Sequence, residues 1–167
     1  MGALHSAWAH VVLAEPKATA GSYYKATLRV GHGCNGSSTN GLIVQIPAGF
    51  EGAKPQPKAG WSIVILKAKL AQSYKSHGKT VTDDVVELRW TAESKEAALP
   101  DGYFDEFAFM VRLPDQAGPR WVKVLQTCET GQLDWSEIPS SGTSTRGMKS
   151  PAALLDIQPA HGHEHHH

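Results

Sequence analysis

Apolar and polar residues alternate along much of this chain. In the run YYKATLRV, Tyr24, Ala26, Leu28 and Val30 fall on one face, and Tyr23, Lys25, Thr27 and Arg29 on the other. That period of two is the pattern of a half-buried strand. Short runs of the same character recur: HVVL, GLIVQIP, WSIVILKAKL, DDVVELRW, DEFAFMVRLP, WVKVLQTC and QLDWSEIP are rich in Val, Ile, Phe and Trp and are punctuated by Gly, Pro, Asn and Asp. TAESKEAALPDG alone has a helix-like composition, and it is long enough for only a turn or two. About eight strands joined by polar connections predict an all-β, immunoglobulin-like antiparallel β-sandwich.

Three connections add to this picture. GHGCNGSSTNG, residues 31–41, reads as a glycine-rich, irregular connection, and PAGFEGAKPQPKAGW, residues 47–61, as a Pro/Gly connection leading into Trp61. In TCETGQLDW the turn Glu129-Thr130-Gly131 predicts a tight hairpin, with residues 132–136 returning beside 124–128. Cys128 and Trp135 then stand on neighbouring strands. The two cysteines, Cys34 and Cys128, form no Cys-x-x-Cys pair, and a structural zinc site requires more ligands. A long-range disulfide is therefore predicted, and it fits an exported chain. Such a bond draws His32 to the end of the fold that carries the hairpin.

Composition narrows the function classes. With 167 residues, 41% of them apolar, the chain holds enough material for one domain with a real core. Its 16 acidic and 16 basic residues cancel, and no basic stripe marks a nucleic-acid partner. No apolar run has the length of a bilayer span, so membrane attachment is not evident. No nucleophile, base and acid form a recognisable constellation, and no phosphate loop is present.

The two ends carry candidate chemistry. Ala7-Trp8-Ala9 has the Ala-x-Ala form of a signal-peptidase site, so residues 1–9 read as the remnant of a leader or an added start, and a mature chain beginning at His10. An N-terminal histidine joins its α-amine and ring Nδ1 in one small chelate, and copper(II) favours such nitrogen donors in tetragonal geometry. The plainer alternative is that the triplet arises by chance in an alanine-rich segment and that His10 merely opens a strand. Residues 10–158 form the predicted domain, and 159–167 a histidine-rich tail with five of the nine histidines, either an affinity tag or a native metal-gathering end.

HVVLAEPKATAGSYYKATLRVGHGCNGSSTNGLIVQIPAGF, followed by PKAGW, FDEFAFMVRLPD and LDWSEIP, resembles the YcnI-like copper-binding domains of bacteria from His10 to about Pro139. The resemblance implies an exported immunoglobulin-like sandwich of the periplasm or cell envelope, holding copper(II) through an N-terminal single-histidine brace. It implies an acidic ligand and a nearby tryptophan as well. The chelating histidine corresponds to His10 and the tryptophan to Trp135. Where the best-known members have a Trp-Glu pair this chain reads Tyr23-Tyr24, which puts Tyr24 beside the metal in place of the glutamate. His32 and Glu129 are the candidate replacement ligands, His32 first because imidazole suits copper(II) better than a single carboxylate.

Each candidate has a structural alternative. His32 equally suits a hydrogen bond to a turn carbonyl, and Trp135 an ordinary core position. Trp61 and Trp90 read as core, Glu106 as a structural acid and His77 as a turn residue. The function expected is copper buffering, trafficking or homeostasis without catalysis, with the copper ion and possible copper-trafficking proteins as partners. Two alternatives are a copper-dependent oxidative enzyme, which needs a second brace histidine, and a metal-free structural or adhesion sandwich.

Overall fold

β-Branched and aromatic residues at every second position commit this chain to strands, and the structure, a computed structural model, describes residues 10–161. Met1–Ala9, with the Ala7-Trp8-Ala9 triplet, and Gly162–His167, with most of the histidine-rich tail, lie outside the described residues. The strands are β1 (Val12–Leu13), β2 (Lys17–Thr19), β3 (Tyr23–Val30), β4 (Thr39–Gln45), β5 (Glu51–Pro55), β6 (Trp61–Ser76), β7 (Lys79–Ala92), β8 (Asp105–Arg112), β9 (Gly118–Val122), β10 (Val124–Cys128), β11 (Gln132–Trp135) and β12 (Ala153–Gln158). They form sheets of order β1-β3-β8-β5, β11-β10-β4-β7-β6 and β2-β12-β9. Pairing is antiparallel except between β2 and β12. The predicted all-β architecture is the one observed.

The inward faces of these sheets make the core. Leu28, Leu42, Leu88, Trp90, Phe107 and Phe109 are fully buried. The Trp61 and Trp90 rings meet Phe107 with centroids 5.1 and 5.9 Å apart, both in the edge-to-face arrangement favoured by aromatic quadrupoles. Both tryptophans thus take the core role expected of them.

Several segments depart from the reading of the sequence. The Pro/Gly connection 47–61 contains β5, and PAALLDIQPA contains β12, a strand the pattern analysis passed over. WVKVLQTC is divided at Lys123 between β9 and β10, which belong to different sheets. TAESKEAALPDG forms turns, because Leu99 exchanges backbone hydrogen bonds of 2.9 Å with Thr39 and so spends on a cross-chain bridge the groups a helix would need. Within 31–41, Asn35 (φ 53°) and Gly36 (φ 89°) make a tight turn closed by reciprocal 3.0 Å bonds between Cys34 and Ser37. Asn-Gly is the preferred pair for such a turn, since both positions require positive φ.

The β10–β11 hairpin is as predicted, with Val124 opposite Trp135 and Thr127 opposite Gln132. Cys34 and Cys128 are disulfide-bonded across 94 residues, with Cα atoms 5.9 Å apart. The bond ties the loop after β3 to the end of β10. Replacing both cysteines by alanine should lower the unfolding free energy by about 2–5 kcal/mol, mainly through a less constrained unfolded chain. Urea unfolding measures this, and an unchanged midpoint would show that the cross-link contributes nothing.

Candidate metal centre

One end of the sandwich gathers the loop after β3, the start of β1 and the β10–β11 hairpin. β1 runs antiparallel to β3 with Val12 opposite Arg29, so the residues preceding β1 extend alongside those following β3. This brings His10 and His32 to the same end. Trp135, on β11, stands beside both rings: its centroid is 5.8 Å from that of His10 and 6.1 Å from that of His32. The indole is buried, at 3% exposure, while both histidines are half-buried. Trp135 is therefore a core residue and a neighbour of the histidines at once.

Gln126 organises this arrangement. Its inward position on β10, between buried Val124 and Cys128, leaves the side chain fully buried. The side-chain NH2 donates to the His32 carbonyl oxygen and to Thr39 Oγ1, both at 2.7 Å, and Oε1 accepts from Trp135 Nε1 at 2.9 Å. One amide thus fixes the His32 backbone and the indole ring relative to each other. A buried polar group is stable when its donors and acceptors are paired, as these are.

The His32 turn is fixed further by Gly33. Its N–H donates to Asp101 Oδ1 at 2.9 Å, and a Cβ at this position would fall 1.8 Å from the Ser37 carbonyl oxygen. Only glycine fits there. His32 Nδ1 lies 2.5 Å from the Gly33 carbonyl oxygen. Because a carbonyl only accepts, His32 Nδ1 is the donor in this bond. The turn-carbonyl bond expected as an alternative to ligation is present.

The other expected site residues lie apart. Tyr24 is at the opposite end of β3, seven residues from Gly31, or about 23 Å at the usual strand rise. Its hydroxyl donates to the Glu15 carbonyl oxygen at 2.6 Å. Burial, with the nearby Glu15 carboxylate second, pushes its pKa to about 12. The expected placement beside His10 is thus corrected: the strand carries Tyr24 away from His10, and its environment keeps the phenol protonated. Glu129 is exposed on the hairpin turn and borders a separate cleft with Asn40, Ala92, Ser94 and Lys95. Among the described residues no three His, Cys, Asp or Glu side chains stand together as a metal-holding group, so Glu129 does not join the two histidines.

Glu106 is the structural acid expected, paired with Arg29 at 3.1 Å. His77 occupies the β6–β7 turn at φ 50°. Sequence reasoning missed Gln126 and Thr39. The available signal was a glutamine at an inward position of an alternating strand, two residues before a cysteine and nine before a tryptophan.

The donor set suits copper(II) chemically: two imidazoles stand beside one buried indole, and nitrogen ligands of this type are those the ion prefers. His10 and His32 are the residues that would hold it.

An all-β sandwich with two histidines beside a buried tryptophan at one end, one of them in a disulfide-pinned loop, is the class defined by this geometry. The chain belongs to the family described as "Domain of unknown function (DUF1775)", whose profile matches residues 10–157. An uncharacterized protein from Nocardia farcinica, whose crystal structure is described as revealing an immunoglobulin-like fold, has a similar structure. The TM-score is 0.68 at 23% identity, covering 89% of this chain and 97% of that one. The likeness establishes the immunoglobulin-like fold. No similar sequence was found among curated proteins.

Replacing Gln126 by leucine leaves Trp135 Nε1, the His32 carbonyl and Thr39 without their shared partner. The expected cost is about 2–4 kcal/mol of stability, from buried groups left unpaired. A shift of Trp135 fluorescence to longer wavelength should accompany it as water reaches the indole. An unchanged urea midpoint and spectrum would remove Gln126 from its organising role.

Proposed function

We propose that this protein is an exported, non-enzymatic copper(II)-binding protein that buffers or passes on the metal in the periplasm or cell envelope. The observation that carries the reading is that His10 and His32 come to the same end of the fold and both stand beside Trp135. Resemblance to the YcnI-like domains supports it, as does a disulfide of the kind that persists in oxidising compartments. Cleavage after Ala9 would free the His10 amine, adding a third nitrogen to two imidazoles. His32 takes the place that an acidic ligand holds in the single-histidine brace.

A second reading, a copper-dependent oxidative enzyme, gains from the same pair, because such enzymes need two brace histidines. It requires in addition an open aromatic face to receive a polymer. Here Tyr103 and Phe104 border a cleft beside His10, a shape better matched to a small ligand.

The test uses protein beginning at His10 and ending at Gln158, so that the tail contributes no metal. Copper(II) should quench the Trp135 contribution to fluorescence. His10→Ala and His32→Ala should each weaken binding by more than roughly a hundredfold, the upper range for loss of a merely supporting residue. Protein retaining residues 1–9 should bind more weakly than the trimmed form. With reductant, the copper-loaded protein should not oxidise polysaccharide. Tight binding that survives both substitutions would overturn the reading.

A further inference from the structure

The edge of a β-sheet presents unpaired backbone N–H and C=O groups, and folded chains blunt such edges with short strands, prolines, charges or bulges. Most edges of this molecule follow that rule. β1, β2 and β11 have two, three and four residues. β5 carries Glu51, Lys54 and Pro55, and β9 carries Pro119 and Arg120. The remaining edge is β6, which ends the sheet β11-β10-β4-β7-β6.

β6 is 16 residues long, and its two halves differ. Residues 61–66, Trp-Ser-Ile-Val-Ile-Leu, contain no charge, proline or glycine. They pair with β7 without interruption, from Trp61 opposite Ala92 to Leu66 opposite Glu87. Beyond them the register shifts between Leu66 and Lys67 and again between Lys69 and Tyr74, and Lys67, Lys69 and Lys75 appear. Bulges and lysines thus guard the second half of a strand whose first half is left open.

The open half is apolar on both faces. Ile63 and Ile65 lie opposite the fully buried Trp90 and Leu88, so they belong to the core side of the sheet. Ile65 is nevertheless 48% exposed, as is Val64 on the other face. A further strand at this edge would cover both.

Charge indicates which strand fits. The net acidic turn Glu-Ser-Lys-Glu, residues 93–96, stands exposed at the start of β6. The Glu93 N–H donates to the Gly60 carbonyl oxygen at 2.8 Å, and a Cβ at Gly60 would lie 3.0 Å from that of Ala97. Lys67 stands just past the far end of the uncharged segment, opposite the uncharged Val85. When two β6 strands run antiparallel, the start of each lies beside the far end of the other's segment. Lys67 of each copy then approaches the Glu93–Glu96 turn of its partner, and the contact occurs twice.

From this edge we infer that the protein forms a homodimer in which β6 pairs antiparallel with β6 of a second copy, joining their sheets into one. The two-fold axis stands perpendicular to the sheet at Val64, so that paired residues come from the same face. Val64 then meets the partner's Val64, and Ile63 meets the partner's Ile65. β11, which carries Trp135, is the opposite edge of the same sheet, so the histidine end stays outside the interface. The inference is independent of the copper reading.

Sedimentation velocity of the full 167-residue chain over a concentration series tests it, with EDTA present so that metal bridging through the histidine-rich tail plays no part. The chain should sediment as a dimer. Val64→Lys sets two like charges together at the axis and should give a monomer with an unchanged far-ultraviolet circular dichroism spectrum, whereas the β-branched Val64→Thr should keep the dimer. A Glu93→Lys, Glu96→Lys variant should associate more weakly, most visibly at low ionic strength. In a Val64→Cys variant a short bis-maleimide should link the two copies, and in a Ser73→Cys variant, altered in the guarded half, it should not. A monomer at every concentration, or a dimer that survives Val64→Lys, would overturn the proposal.

Discussion

A single buried amide holds together the end of this molecule where His10, His32 and Trp135 meet. Gln126 joins Trp135 to the His32 backbone through hydrogen bonds of 2.7 and 2.9 Å, inside a region where a missed bond would cost the full desolvation of each group. The Cys34–Cys128 disulfide lies next to it in the same strand and loop. Together they decide where the loop after β3 can go. The position of His32, and its distance from Trp135, follow from that constraint.

Polarity is arranged in layers around this point. The indole and Gln126 belong to the interior, the histidines sit half-exposed at its edge, and the cleft with Tyr103 and Phe104 opens to solvent. The Gly33 carbonyl accepts from His32 Nδ1 and so orients the ring, and the steric demand for glycine at that position keeps the turn tight enough for it.

Strands with clean alternation were legible in the sequence, and so were the tight hairpin and the disulfide. YYKATLRV is β3 from end to end, because one of its faces is buried and the other is not. β12 and β5 were obscure for physical reasons. β5 carries Gly and two charged residues within five positions, and β12 follows a long polar stretch and pairs with the short β2. At this end of the fold, His32 was placed by the disulfide argument, His10 by the Ala-x-Ala triplet before it, and Trp135 by the family resemblance. Tyr24 was placed by motif, without regard to the direction of its strand, and Glu129 by proximity to Cys128 alone. Gln126 carries no chemistry of its own, so nothing but its inward position marked it.

The central claim is that His10, through its amine and ring, and His32 together bind copper(II). Its most direct test is the nitrogen superhyperfine pattern of copper(II) bound to protein beginning at His10 and ending at Gln158, compared with the same protein carrying His32→Ala. The account predicts three nitrogen donors, falling to two in the variant. An identical pattern in both proteins would contradict it.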